Sequence, residues 1–357
     1  MLFDKLKKLI GRRYFPLNRL EISQKKLIKN YKHLSAIDKK IKVAPVLKSN
    51  AYGHGIAEVA KVLDRLNPPF FCVDSLYEAY KLYKAGIKSR ILIMGYVNPE
   101  NLKVKNLPFS YVVYEIGQLN QILNYQPDAK IHIFVDTGMH REGILLKDLE
   151  EFLNDIPKRY FGNIEGLSSH FGASEKPNAY ETKDQAKKFK KAVSILNKYG
   201  IFPRWKHFAN SDGLINSKVL GLGSISNMAR VGLGLYDSVL RFITHINQIK
   251  ELKKGDKVGY DFTYTAKKDM TMAVLPVGYN DGVDRILSNR GEVLIKRVRC
   301  PIIGRVSMNI TTVDVSKVKN VKVGDEVEII FNPKINGRIP YEYMVHLNYE
   351  IKRVVVY

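Results

Sequence analysis

Lys48 is the residue around which chemistry can be organised in this chain. An apolar run, Val43 to Leu47, leads into it, and a turn separates it from a helical pattern at Ile56–Leu66. A lysine at the C-terminal end of a strand, with apolar residues before it, is partly desolvated. Desolvation favours the neutral amine, the form that attacks a carbonyl to make a Schiff base. Tyr52 lies four residues on, and Gly53 and Gly55 allow a tight turn into the helix. Taken alone, such a lysine also reads as a surface lysine, so it needs company.

That company stands behind other apolar runs: Asp136 with Arg141, then His170, then Asn210 and Ser211, then Arg230 with Gly232 and Leu233. Ser211 and the backbone N–H groups around Gly232 and Leu233 suit a phosphate, because small residues let the anion approach the main chain. Singly, each has a plainer role. Ser211 can cap a helix starting at Asp212, Asp136 can fix a turn, and His170 can be a hydrogen-bonded strand-end histidine. Their joint use requires a scaffold that gathers strand ends onto one rim.

The sequence supplies such a scaffold. Short β-rich runs end near Leu47, Val73, Met94, Val113, Val135, Ser169, Phe208 and Val231, with helical stretches between them at Leu76–Ala85, Ile116–Leu123, Leu146–Leu153 and Gln185–Leu196. Apolar residues in these stretches recur at helical spacing, as in Val59, Leu63 and Leu66. Eight alternating units without a Gly-rich dinucleotide fingerprint point to a closed (β/α)8 TIM-like barrel over residues 24–240. After about Asp237 the texture changes. β-branched runs at Met272–Val277, Glu292–Ile295, Ile302–Val306, Thr311–Val315 and Glu326–Phe331 predict an all-β C-terminal domain over 241–357. An N-terminal segment, 1–23, carries the early strand Leu20–Ile22, placed to pair with that domain.

Composition bounds the rest. The chain has 357 residues, 45% hydrophobic and 26% charged, which fits a large barrel plus a smaller domain. No apolar run reaches the roughly 18 residues of a membrane helix. The basic N-terminus, Met1 to Arg13, lacks the apolar core of a secretory signal. Cys72 and Cys300 are far apart with no CxxC pair, which argues for a reduced, cytoplasmic setting and against a cysteine-based metal site. A net charge of +23 raises nucleic-acid binding. The lysines are spread along the chain with no binding motif, so neither a nucleic-acid nor a membrane partner is predicted.

Several of these segments resemble the alanine racemases, over nearly the whole chain. Ala44-Pro-Val-Leu-Lys-Ser-Asn-Ala-Tyr-Gly-His-Gly55 is similar to the family's cofactor-lysine segment, and Asp136-Thr-Gly-Met-His-Arg-Glu-Gly143 to its DTGMxRxG segment. Ser169-His-Phe171, His207 with Ala209-Asn-Ser211, and Met228-Ala-Arg-Val-Gly232 follow the same pattern. The resemblance implies pyridoxal phosphate (PLP) on Lys48, with Tyr52, Ser211, Gly232, Leu233 and Tyr357 at its phosphate and Asn210 among the other cofactor contacts. It places Arg141 at the phenolic oxygen, His170 against the ring and Arg230 at the ring nitrogen. In the second domain, Val258 to Thr263 puts Tyr260 at the catalytic tyrosine, Val277 to Gly282 puts Tyr279 at substrate entry, and Gly304 to Asn309 puts Met308 near substrate. Arg141 is also a substrate contact by this match.

Three positions depart from the family pattern. Phe134 stands where many members carry a lysine that becomes carbamylated, Asn309 replaces an aspartate, and Tyr357 is the last residue of the chain. The resemblance implies a homodimer with shared active sites, in which Lys48 and Tyr260 act as two bases that interconvert L- and D-alanine, so supplying D-alanine for cell-wall peptidoglycan. The alternatives are a serine or broad-specificity amino-acid racemase, which Asn309 keeps open, and a non-catalytic PLP-binding protein.

Overall fold

The computed structural model describes residues 16–331, 335 and 339–357, so the basic stretch Met1 to Arg13 lies outside the described residues. The chain divides into two compact units. One is Ser23–Val239, with Tyr357; the other is Leu240–Val356, with the N-terminal residues up to Ile22.

In the first unit, eight parallel strands form a nearly closed barrel. They are Lys42–Pro45, Phe71–Val73, Ile91–Ile93, Phe109–Val113, Lys130–Asp136, Ile164–Ser168, Trp205–His207 and Met228–Val231. Neighbours pair from the second strand round to the eighth, the eighth pairs with the first, and a Val46–Cys72 bridge joins the first to the second. Strands such as Phe71–Val73 and Ile91–Ile93 are buried at every residue, as a parallel sheet covered on both faces requires. Alternate residues fill the interior: Ala44, Val46, Phe70, Cys72, Leu92, Val112 and Met228 pack as one cluster.

The helices differ from expectation mainly at their ends. The run predicted over Leu146–Leu153 is helical only over Leu149–Asn154, because Ile144–Leu145 pairs with the fifth strand. The run predicted from Gln185 begins at Tyr180 and continues to Lys198, a helix of 19 residues.

The second unit is built on a six-stranded sheet in the order Val298–Pro301, Glu292–Ile295, Glu326–Ile329, Leu240–His245, Arg19–Ser23 and Lys352–Val356. Arg19–Ser23 is antiparallel to Leu240–His245. A three-stranded sheet, Gln248–Leu252, Met270–Leu275 and Thr311–Asp314, accompanies it. Leu20, Phe242, Leu275, Val293, Val313 and Val327 share the core. The strand predicted over Ile302–Val306 is not one. Only Ile302 bridges to Val313, and Gly304, at a φ of 73°, turns the chain away.

Candidate active site

A cavity of about 210 Å³ opens at the C-terminal ends of the barrel strands. Nine of the sequence-predicted residues line it: Lys48, Tyr52, Arg141, His170, Asn210, Ser211, Arg230, Gly232 and Leu233. Lys48 stands three residues past the end of the first strand, is half-buried, and begins a turn unlike the one foreseen. Ser49, Asn50, Ala51 and Tyr52 all have φ between 52° and 54°, so a turn of left-handed helix precedes Gly53 and Gly55. Ordinary L-residues avoid this basin by about 1–2 kcal/mol each. It persists because Asn50, inside it, is tied through both its backbone and its side chain. Asn50 N–H donates to Glu78 Oε1 at 3.2 Å, and Asn50 Oδ1 accepts from Ile56 N–H at 2.9 Å, capping the next helix.

The eighth strand supplies the most constrained side chain. Arg230 is 6% exposed, and its Nη2 donates to Ser169 O at 2.6 Å and to His170 Nδ1 at 3.2 Å. Nη1 donates to His207 O at 2.9 Å and to His207 Nδ1. Burial lowers its pKa to about 10, which still leaves it protonated at neutral pH. Burial, then the charges of Arg230, Arg141 and Lys48, press His170 down to about 3, so it stays neutral. The cavity thus sets Lys48, Arg141, Arg230 and the neutral His170 opposite the carboxylates of Asp74, Glu142 and Asp212.

Beside Arg230 the main chain is bare. A Cβ placed on Gly232 would lie 2.5 Å from Tyr52 Oη. Ser211 is buried and its Oγ accepts from Gly234 N–H at 3.2 Å. The cap of the Ser211–Ile215 helix is Asn210, whose Oδ1 accepts from Gly213 N–H, and not Ser211. Asp136 has the plainer role foreseen for it. Its Oδ1 accepts from the N–H groups of Gly138, Met139 and His140, fixing the loop that leads to Arg141. Burial pushes that carboxyl up, and the three N–H donors outweigh it to hold it below the usual range. Arg141 is half-exposed and faces Glu142 at 3.5 Å, while Phe134 lines the cavity and packs on Gly143.

The remaining predicted residues lie elsewhere. Tyr357 ends the chain 96% exposed and does not line the cavity. Tyr260, Tyr279 and Met308 belong to the other unit, at 67%, 44% and 56% exposure. Sequence reasoning missed Asp74, Tyr114 and Glu142 at the rim, and His132 with Glu165 behind Arg230. The last two carried a signal: a polar residue set among apolar ones in the runs Ile131-His-Ile133 and Ile164-Glu-Gly166. Among the described residues no group of three or more metal-ligating side chains gathers, and no helix is long and apolar enough to cross a membrane.

Comparison with known proteins covers both units. Residues 22–238 match the family model of the alanine racemase N-terminal domain, and residues 239–355 that of the C-terminal domain. An alanine racemase of Fusobacterium nucleatum is 35% identical, covering 94% of this chain and 99% of that protein. Among solved structures, an alanine racemase of Clostridium difficile superposes with a TM-score of 0.86 at 27% identity, covering 96% of this chain and 97% of the other. That of Bacillus anthracis, solved with bound L-Ala-P, gives 0.85 at 25% identity, covering 97% and 96%.

Proposed function

The chain belongs to the alanine racemase family across both of its units, and from that premise we propose that it interconverts L- and D-alanine by a two-base mechanism. It is an amino-acid racemase, and its cofactor is PLP. The proposal adds that it works as a cytoplasmic homodimer with shared active sites and supplies D-alanine for cell-wall peptidoglycan.

The cavity fits the cofactor. Lys48, Arg141 and Arg230 can meet a phosphate and a phenolic oxygen, and Gly232, which has no Cβ, lets the Tyr52 hydroxyl lie against its main chain. In this reading Lys48 holds the cofactor covalently. The hydroxyls of Tyr52 and Ser211 and the N–H groups of Gly232 and Leu233 hold its phosphate, and Asn210 contacts the cofactor beside them. Arg141 donates to the phenolic oxygen, His170 packs on the ring and Arg230 donates to the ring nitrogen. Because Arg230 stays charged, it donates a hydrogen bond there without giving up its proton.

When bound, the cofactor withdraws electron density from the substrate's Cα and makes the α-proton removable. Once the substrate's amino group has displaced it, Lys48 Nζ is a free amine that takes or returns that proton on one face. Tyr260 Oη serves the other, since a single base would return the proton to the side it left. A phenol is a weak base at neutral pH, so Tyr260 needs a cation beside it in the closed site. Arg141 and Met308 contact the substrate, and Tyr279 stands at its entry. The observation that carries the reading is the gathering of Lys48, Arg230 and the bare Gly232 main chain in one cavity. Racemisation assays on alanine, serine, lysine and arginine, with borohydride trapping and peptide mapping, test it. Alanine should turn over fastest and the reduced label should sit on Lys48. A label on another lysine, or a preferred substrate other than alanine, overturns it.

A further inference from the structure

The fifth and sixth barrel strands fall out of step at one point. Ile131 pairs with Ile164 but His132 pairs with Gly166, which leaves Glu165 as an extra residue. Such a bulge re-aims a side chain. Here the Glu165 carboxylate meets His132 Nε2 at 3.2 Å, Ser110 Oγ at 2.9 Å and Arg90 Nη2 at 2.5 Å. Gly166 admits the imidazole, because a Cβ there would lie 2.1 Å from His132 Nδ1. From His132 the contacts run on to the cavity. His132 Nδ1 is 2.7 Å from His207 Nε2, and His207 Nδ1 is 2.5 Å from Arg230 Nη1. Both imidazoles are fully buried.

Each link has a direction. A guanidinium only donates, so His207 Nδ1 accepts and the proton of that ring sits on Nε2. His207 Nε2–H then donates to His132 Nδ1, and His132 Nε2–H donates to the carboxylate, which only accepts. A further proton on either ring would set two donors face to face. Burial independently presses both histidines below their ordinary range. It pushes the Glu165 carboxyl up, but the bonds from His132 and Arg90 outweigh it and hold the group at about 2, fully ionised.

We propose that Glu165 is a positioning residue for Arg230: the acceptor-only carboxylate sets the tautomers of His132 and His207, and so turns an acceptor toward the guanidinium. This rests on the role given to Arg230 above. Glu165→Gln breaks the arrangement because an amide can also donate. It then permits the reversed order, in which His207 Nδ1–H points at an Arg230 N–H.

Imidazole ¹⁵N spectra of the histidine-labelled holoenzyme test the idea, with His132→Gln and His207→Gln for assignment. Both rings should be neutral Nε2–H tautomers from pH 6 to 8. An Nδ1–H tautomer or a charged ring in that range overturns the proposal, whatever the enzyme's substrate. Glu165→Gln should lower kcat about 10- to 100-fold, the range for loss of a group that orients a histidine. It should also shift the cofactor's absorption band, while Glu165→Asp recovers most of both. A Gln variant with the wild-type band and kcat, or an Asp variant no better than Gln, overturns it. If the Gln variant does not fold, the wild-type tautomers and the Asp variant decide.

Discussion

Arg230 in the barrel unit is 6% exposed, and its two terminal nitrogens are engaged by Ser169, His170 and His207. Tyr260 and Met308 in the β unit are 67% and 56% exposed, on loops that leave their side chains to solvent. The contrast separates two ways of making a reactive group. In the barrel, burial and directed hydrogen bonds fix Arg230, His170 and His207 before any ligand arrives. In the β unit, the proposed second base and substrate contact are side chains that stand in solvent. In the proposed dimer a second copy of the chain would supply the surroundings that Tyr260 lacks.

The largest effect that could break this comparison comes from mixed dimers. Lys48→Ala and Tyr260→Phe homodimers should each be crippled, the tyrosine variant by roughly the 10²–10⁴ of a general acid–base group. A heterodimer of the two, isolated with different tags, should recover about half the wild-type rate, because one of its sites keeps both bases. A heterodimer no more active than its parents would place both bases on one protomer and end the shared-site reading.

Acid should next distinguish the two units. His170 is held at about 3, against an ordinary value of 6.5. The unfolded chain therefore takes up a proton below about pH 6.5 that the folded barrel refuses, and stability falls as pH drops. At pH 5 this one histidine removes about 2 kcal/mol, with His132 and His207 acting in the same direction. Below about pH 4.5 the unfolded chain also protonates the carboxylate that Glu165 keeps ionised down to about 2. Trp205, the single tryptophan, lies in the seventh barrel strand and reports on that unit. Urea unfolding followed by its fluorescence should show a lower midpoint at pH 5 than at pH 8; equal midpoints would remove the barrel's buried titrating network from the argument.

A smaller effect sharpens what rigidity means in the barrel. Ser49→Gly relieves one left-handed residue and should raise stability by up to about 1 kcal/mol, read from the same urea curves. Loss of stability would show that the Ser49 side chain outweighs the strain. The smallest effect is none at all. Because Phe134 cannot be carbamylated, bicarbonate added to decarbonated enzyme should leave the rate unchanged, and a clear gain would reveal another carbamylated group near Arg141.

Much of this was legible in the sequence, unevenly and for physical reasons. All eight barrel strands were readable, most of them from a short run of buried apolar residues, such as Phe71–Val73 and Phe109–Val113. Lys48, Arg141, His170 and Arg230 were readable because strand ends in a barrel share one rim. The bulge at Glu165 was not, because pairing register is a property of two strands and neither run announces it alone. Nor was the turn at Ser49–Tyr52 readable: the glycines that advertise positive φ stand after it, at Gly53 and Gly55, while tertiary hydrogen bonds impose it on four other residues. The loop at Ile302–Val306 misled through its β-branched residues, which Gly304 interrupts.

The turn at Ser49–Tyr52 also bears on the order in which the newly made chain acquires its parts. A right-handed segment such as Ile56–Leu63 samples its final shape within about a microsecond. Four adjacent residues in the opposite hand, each disfavoured by about 1–2 kcal/mol, are almost never found together in a free chain. They must wait for neighbours to hold them: Cys72 O accepting from Leu47 N–H, and Glu78 accepting from Asn50 N–H. Those partners lie in the second strand and the helix after it, so that part of the barrel must assemble before Lys48 acquires its setting. A nascent chain is thus a scaffold for some time before it is able to take up its cofactor.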